Sequence, residues 1–361
     1  MALRFHWMLP KSGEVVPGAT QSPLEAMQYR VASVDPGSPA PRPEMDGWIF
    51  FSQHAEAAGI DSVLISFSRY EPDPFLVSCA LGRATSRLRF MIAYRSGLMQ
   101  PAAFVQQINT LSGLIDGRLS LNLVAGSSTS EQHGYGDFLS HDERYARAEE
   151  FLSVCHAFWR NGGSEVDFDG RYYRVERGHL FTPFLDHGRK APEIYISGHS
   201  EAALRLVATQ GSCWLRIADT PDKIASDVKR MRDAGIPVCL RMCILCRPTH
   251  EEALEAAQSL LSGGDFEGQG RTVRLKDDSQ MHKHGAQNPW LSESLWTGLV
   301  PHYGPVWTTL LGTPRELADA FLAWRDAGVS EFILSGWPEV DTVSAFGREV
   351  LPLIRREESC P

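Results

Sequence analysis

No apolar run in the sequence approaches the roughly 18 residues of a membrane-spanning helix, so a helical membrane protein is not expected. Positive charge is not in excess either. Lys and Arg number 35 against 44 Asp and Glu, and the formal net charge of -9 argues against broad electrostatic binding to nucleic acid or anionic membranes. Cysteine is scarce and scattered, and an odd count of seven does not suggest a disulfide framework. No G-x-G-x-x-G follows a strand-like run, so there is no dinucleotide-binding fingerprint. Nothing at the amino terminus reads as a signal peptide, because Met1-Ala-Leu-Arg-Phe5 leads straight into a strand pattern. A cytoplasmic enzyme is the expectation.

Two groupings invite a metal or redox reading and do not sustain it. Cys243 and Cys246 have C-x-x-C spacing, but they lie in Val238–Cys246, which reads as a strand. Residues three apart on a strand point to opposite faces, so these are expected to be buried small apolar residues. His282 and His284 sit in a polar stretch without further ligand spacing and read as a solvated pair. No metal is expected.

What is present is a regular alternation of short apolar runs with longer segments of helical period, the pattern of a parallel α/β protein. Strand patterns fall at Leu3–Met8, Asp61–Ser66, Leu88–Tyr94, Leu119–Ala125, Ile194–Ser197, Cys213–Ile217, Val238–Cys246 and Glu331–Ser335. Eight strands with interleaved helices predict an α/β fold of the (β/α)8 TIM-barrel class, one domain over 1–361 with insertions at the barrel mouth. The Pro/Gly/Ser-rich stretch 10–43 is a long loop after strand one, and 264–304 is an insertion after strand seven. Both are read as lids over the mouth. Asp167–Arg174 carries an Asp-Gly pair and predicts a hairpin.

In a barrel the residues just past the strands line the active site. Here they are small, polar or aromatic and include no carboxylate cluster, which suits an organic cofactor. Ile194-Tyr-Ile-Ser-Gly-His-Ser200 runs into a helix. Gly198 permits close backbone approach and Ser200 is placed at the N-cap with its hydroxyl free, the makings of a phosphate site. Asn122, in Leu121-Asn-Leu-Val-Ala-Gly-Ser127, is an unusual polar residue for a barrel strand and needs a hydrogen-bond partner. His141 and Tyr145 are four apart and share one face at the start of a helix.

These segments, taken in order with Phe5-His-Trp-Met-Leu-Pro10, Gly59–Ile65, Phe332-Ile-Leu-Ser-Gly336 and Leu351-Pro-Leu-Ile354, resemble the bacterial-luciferase-like FMN-dependent monooxygenases. Within that family the sequence is most similar to the alkanesulfonate monooxygenase branch. The resemblance implies that Asn122, His141 and Tyr145 lie along the flavin. It implies further that Ser197, Gly198 and Ser200 hold the 5′-phosphate, and that Ser66 and Ala93 flank the ring. Ala125 stands where that branch commonly has threonine, which should weaken flavin binding without abolishing it. It implies a two-component enzyme, in which a separate NAD(P)H:flavin reductase supplies FMNH2, O2 forms a peroxyflavin, and the barrel presents a small-molecule substrate to it. A homodimer or homotetramer is implied as well.

The substrate pocket departs from that branch. Glu71, Cys243, Tyr303 and Trp337 occupy the positions of its cysteine, histidine, arginine and tyrosine, while Arg241 keeps its strand-seven arginine. A sulfonate needs clustered cationic donors, and these substitutions favour a larger or less anionic molecule. Arg241 and Trp337 are the expected catalytic residues, with His6, Glu71, Cys243 and Tyr303 around the substrate. Two alternatives stay open: an F420-dependent oxidoreductase on the same barrel, and a non-catalytic flavin-binding relative.

Overall fold

The computed structural model describes residues 2–10, 45–68, 71–126, 129–186, 188–262, 288–303, 305–336 and 339–359. Each parallel strand is followed by a helix, as the alternation requires. In chain order they are β1 (Arg4–Met8), α1 (Met45–Ala57), β2 (Ser62–Ile65), α2 (Pro74–Ala84), β3 (Arg89–Tyr94) and α3 (Pro101–Leu114). Next come β4 (Leu119–Leu123), the short α4 (Thr129–Gly134) and the long α5 (His141–Arg160). A hairpin, β5 (Val166–Asp169) and β6 (Arg174–Gly178), precedes β7 (Ile194–Ser197), α6 (Glu201–Gln210), β8 (Cys213–Ile217) and α7 (Pro221–Asp233). The chain continues through β9 (Val238–Cys246), α8 (His250–Ser262), β10 (Leu295–Trp296), α9 (Val300–Tyr303) and β11 (Thr309–Gly312). It ends with α10 (Pro314–Asp326), β12 (Glu331–Gly336), α11 (Glu339–Ala345), a π-helical turn (Phe346–Val350) and α12 (Leu351–Ser359).

Eight of the described strands, β1 to β4, β7 to β9 and β12, are the strands of a (β/α)8 barrel, the class expected. The expected hairpin forms, with Gly170 N–H donating to Tyr173 O at 3.0 Å. Strands β10 and β11 were not expected from the sequence. Residues 11–44 and 263–287, which hold most of the two stretches read as lids and also His282 and His284, lie outside the described residues.

The chain divides into two compact units, the divisions falling within β2 and β8. In the first, comprising residues 1–63, 216–233 and 238–361, β9 lies between β11 and β12, and β12 pairs in parallel with β1. Side chains alternate along a strand, so each strand presents two faces. Phe5 and Phe332 point to the helices, where Phe5 meets Phe321 and Phe346 at centroid separations of 5.3 and 5.1 Å. The other parity carries His6, Cys239, Arg241, Cys243, Glu331 and Ser335.

The second unit, residues 64–215 and 234–237, has the parallel order β3-β4-β7-β8. Its register sets Ala93 beside Asn122 and Asn122 beside Tyr195. Behind the sheet Tyr94, Phe104 and Phe151 pack at 4.3 and 5.0 Å. Burying each such ring contributes about 2–3 kcal/mol, so both units have a substantial aromatic core of their own. Helix α5 begins with a capping box. Glu143 N–H donates to Ser140 Oγ at 3.4 Å, and Glu143 Oε2 accepts from Ser140 N–H at 3.0 Å.

Candidate active site

The residues expected to bind flavin fall in the second unit, at or just past the ends of β2, β3, β4 and β7 and, for His141 and Tyr145, in the first turns of α5. Asn122 is buried on β4, and its Oδ1 accepts from the Ser197 hydroxyl on β7 at 3.3 Å. A polar group on a barrel strand is thereby satisfied on its carbonyl side. Ala93, also buried, presents a methyl-sized surface on the neighbouring strand. Ser66 donates to Glu71 Oε2 at 2.5 Å, so Glu71 is engaged by its own loop.

Gly198 has φ +126, a conformation that a side chain resists. A Cβ there would lie 2.8 Å from both the Tyr145 hydroxyl and Ala203 Cβ. The turn into α6 is therefore built around bare backbone, fixed by Trp214 Nε1–H donating to Gly198 O at 2.7 Å. Ser200 caps α6 as expected, its Oγ accepting from Ala203 N–H at 3.2 Å. Its hydroxyl is not free, however. It also shares a side-chain hydrogen bond with Tyr145, one turn into α5. Burial pushes the Tyr145 phenol above its ordinary value, and that hydrogen bond and the nearby Arg144 pull it back only in part. His141 packs beside Tyr145 with its ring tilted by 57° and centroids 4.9 Å apart, but is half exposed and bonded to Asp142 at 2.9 Å.

Whether these residues suit a flavin is tested by the buried donors around them. Arg95, one residue past β3, is 7% exposed and gives Nη2 to Glu131 Oε2 at 2.6 Å, while its Nε and Nη1 have no hydrogen-bond partner among the described residues. Gln132 on α4 is 2% exposed and its Nε2 has none either. Leaving such donors unpaired costs about 1–3 kcal/mol each, so these positions suit a ligand rich in acceptor oxygens and nitrogens. A flavin phosphate and ring answer that description. The fit extends to Arg144, whose guanidinium holds the carbonyls of Ala125, Gly126 and Leu139 at 3.0, 3.1 and 2.7 Å and so sets the loop after β4. The sequence reading gave no role to Arg95, Gln132 or Arg144, although Arg95 lies among the residues just past the strands. Position alone, just past β3, could have marked Arg95.

The residues expected around the substrate fall mostly in the first unit. Trp337 lies outside the described residues, and of Tyr303 only the backbone, in α9, is described. His6 is buried, with Nδ1 2.6 Å from Ser62 Oγ and Nε2 2.9 Å from Glu331 Oε2. Ligand atoms of His6, Cys239 and Glu331 come within 4.8 Å of one another. Glu331 is nevertheless paired with Arg4, and a guanidinium on the same carboxylate disfavours a cation there. Arg241 donates Nη1 to Met8 Sδ at 3.7 Å.

Cys243 is buried, its Sγ 3.2 Å from Ser335 Oγ and donating to Val306 O at 3.5 Å. Burial pushes its thiol up to about 11, against a smaller opposing pull from Ser335 and Arg241. That is a wall, not a nucleophile. Cys246 is likewise a free thiol pushed up to about 11 by burial. A small pocket opens here, lined among the described residues by Cys243, Ser335, Thr309, Trp296, Trp307 and, unforeseen from sequence, Glu339, with Ile244, Leu245, Leu299 and Gly336 completing it.

A family model described as luciferase-like monooxygenase matches residues 29–331. Among solved structures, a long-chain alkane monooxygenase superposes with TM-score 0.77 at 19% identity, over 99% of this chain and 92% of that one. A riboflavin lyase, solved with modified FMN and riboflavin, gives 0.75 at 19% identity over 100% and 93%. An F420-dependent secondary alcohol dehydrogenase gives 0.64 at 16% identity over 98% and 100%. At such identities these likenesses establish the fold alone.

Proposed function

Since the chain belongs to the luciferase-like monooxygenase family, we propose that it is a two-component flavin-dependent monooxygenase. It would take FMNH2 from a separate NAD(P)H:flavin reductase and use O2 to oxygenate an organic substrate larger or less anionic than a simple alkanesulfonate. The observation that carries the flavin assignment is the set of buried N–H donors of Arg95 and Gln132 that find no hydrogen-bond partner among the described residues, in the same unit as the bare backbone of Gly198. When bound, reduced flavin supplies the electrons that activate O2.

The chain's own residues have separable tasks in this reading. The turn of Ser197, Gly198 and Ser200, at the start of α6, holds the phosphate with first-turn N–H groups and the helix dipole. Asn122 directs its amide N–H groups at the ring edge while Ser197 fixes its orientation. Tyr145 holds the Ser200 hydroxyl and closes the cradle beside Gly198. Arg95 offers a permanent positive charge to ring oxygens or phosphate. Ala93 leaves room for a flat ring, and Ser66 flanks it. Arg241 anchors an anionic group of substrate or cofactor, and Trp337 and Tyr303 supply aromatic surface. The same reading makes the enzyme a cytoplasmic homo-oligomer.

Binding titrations of the purified protein with reduced FMN and with F420 test the assignment. FMNH2 is expected to bind and to support turnover that requires O2 and a reductase. Tight F420 binding with none for FMN would overturn the reading in favour of hydride transfer, to which the likeness to the F420-dependent dehydrogenase corresponds. Flavin binding without oxygen-dependent turnover of any substrate class would leave a binding protein only.

A further inference from the structure

The pocket at the carboxyl ends of β9 and β12, bordered by the amino end of β11, carries chemistry that the flavin assignment leaves unused. We propose that it is a subsite for a basic nitrogen. An alkylammonium group would sit there with Glu339 as its counter-ion and Trp296 and Trp307 as its aromatic walls. Only the statement that this guest is part of the substrate rests on the monooxygenase reading. The binding chemistry stands on the pocket itself.

Glu339 opens α11 just past β12 and is 7% exposed. Its Oε2 is anchored twice, accepting from Trp7 Nε1–H at 2.8 Å and from Gly336 N–H at 3.1 Å. Its Oε1 accepts no hydrogen bond from the described residues. Half of the carboxyl is therefore fixed in place and the other half is available in a cavity. Among the other thiol and hydroxyl groups of the lining, Thr309 Oγ1 donates to Trp307 O at 2.9 Å, and Cys243 is engaged with Val306 O and Ser335 Oγ. No Lys, Arg or His belongs to the described lining.

The walls suit a cation as well. Trp296 is 3% exposed and packs against the bare backbone of Gly298, where a Cβ would come within 2.0 Å of its Cζ2. Trp307 packs against the same cluster. Two indole faces and a carboxyl oxygen are the acceptors that an ammonium group requires. An anion would meet like charge here, and a purely apolar guest would bury Oε1 without a partner.

Charge balance gives the site a pH dependence. Burial pushes the Glu339 carboxyl up to about 7, opposed by its hydrogen bonds to Trp7 and Gly336 and by the field of Arg241 from β9. Cys243, the other titratable group of the lining, stays neutral through this range. An ammonium ion favours the ionised carboxyl, so binding should weaken as pH falls through 7.

Titration of the full-length protein with butylammonium, followed by tryptophan fluorescence, tests the proposal, with butyrate and butanol as comparisons. Butylammonium is expected to give a saturable signal, about tenfold tighter at about pH 8 than at about pH 6. Glu339→Gln, whose amide oxygen still accepts from Trp7 and Gly336, should weaken it about tenfold and remove the pH dependence. Trp307→Leu should weaken it about fivefold. Equal binding of butyrate or butanol, no saturable signal from butylammonium, or an unchanged Glu339→Gln titration overturns the proposal. Reduced FMN titrated in parallel separates the two readings, because flavin binding without amine binding removes only this one.

Discussion

Glu339→Gln should make the protein more stable at alkaline pH and leave it nearly unchanged at acid pH. The folded protein holds the Glu339 proton more tightly than the unfolded chain does, its carboxyl being raised from 4.5 to about 7 chiefly by burial. The contribution of this group is therefore complete below pH 4.5 and is lost as pH rises through 7. At about 1.4 kcal/mol per pH unit, the loss reaches roughly 3 kcal/mol on the alkaline side. Glutamine cannot ionise, retains an acceptor for Trp7 and Gly336, and resembles the neutral acid in volume. The difference in unfolding free energy between variant and parent should thus be near zero at about pH 4, grow by about 1.4 kcal/mol per pH unit between 4.5 and 7, and level off at roughly 3 kcal/mol by about pH 8. Urea unfolding of both proteins across that range, followed by circular dichroism, measures it directly. A difference that is the same at both ends would refute the reasoning, because it would mean that Glu339 ionises like an exposed carboxylate.

Gly198→Ala forces a Cβ to within 2.8 Å of the Tyr145 hydroxyl at φ +126, and should cost about 1–3 kcal/mol of stability and weaken FMN binding about tenfold. Thermal unfolding and flavin-quenching titrations check both halves, and unchanged values for both would contradict the packing argument. Arg95→Met removes two buried N–H donors that lack hydrogen-bond partners among the described residues, so the rise in melting temperature on adding FMN should shrink, whereas an equal rise would place Arg95 away from the flavin. Cys243 and Cys246, both pushed up to about 11 by burial, should react with iodoacetamide far more slowly than free cysteine near pH 8 and at an ordinary rate in urea. Fast labelling of either in the native protein would show the thiol to be activated.

Much of the fold was legible because strands and helices write their periods locally. Strand β9 runs over Val238–Cys246 as read from the sequence, and β7 over Ile194–Ser197. Helix α5 starts at His141, as the placing of His141 and Tyr145 on one face at a helix start implies, and the Ser140–Glu143 capping box fixes that start. Strand β11 escaped notice although Thr309-Leu-Leu311 has the composition of a strand. At four residues it is too short to separate from the helix signal of Thr313-Pro314 that follows.

The candidate site divides along the same line, between what neighbours in sequence decide and what distant segments decide. Ser200 as an N-cap, Tyr145 beside His141, and Asn122 on its strand are consequences of spacing, and each is where its spacing puts it. What spacing could not show is how each hydroxyl is spent. The Ser200 hydroxyl goes to Ala203 and to Tyr145, a residue of another helix. Glu339 is the stronger case. In sequence it is an acid in the first turn of a helix, a position that acids favour for the helix dipole alone. Its chemistry arises because Trp7, 332 residues away, takes one carboxyl oxygen and Trp296 and Trp307 help to wall the space beside it. Burial and anchoring on one side leave an oxygen on the other, and only a folded chain can create that asymmetry. The same accounting applies to Arg95, which in sequence is one arginine among many. Once buried, its two unspent donors require an acceptor, and the chain itself offers none among its described residues.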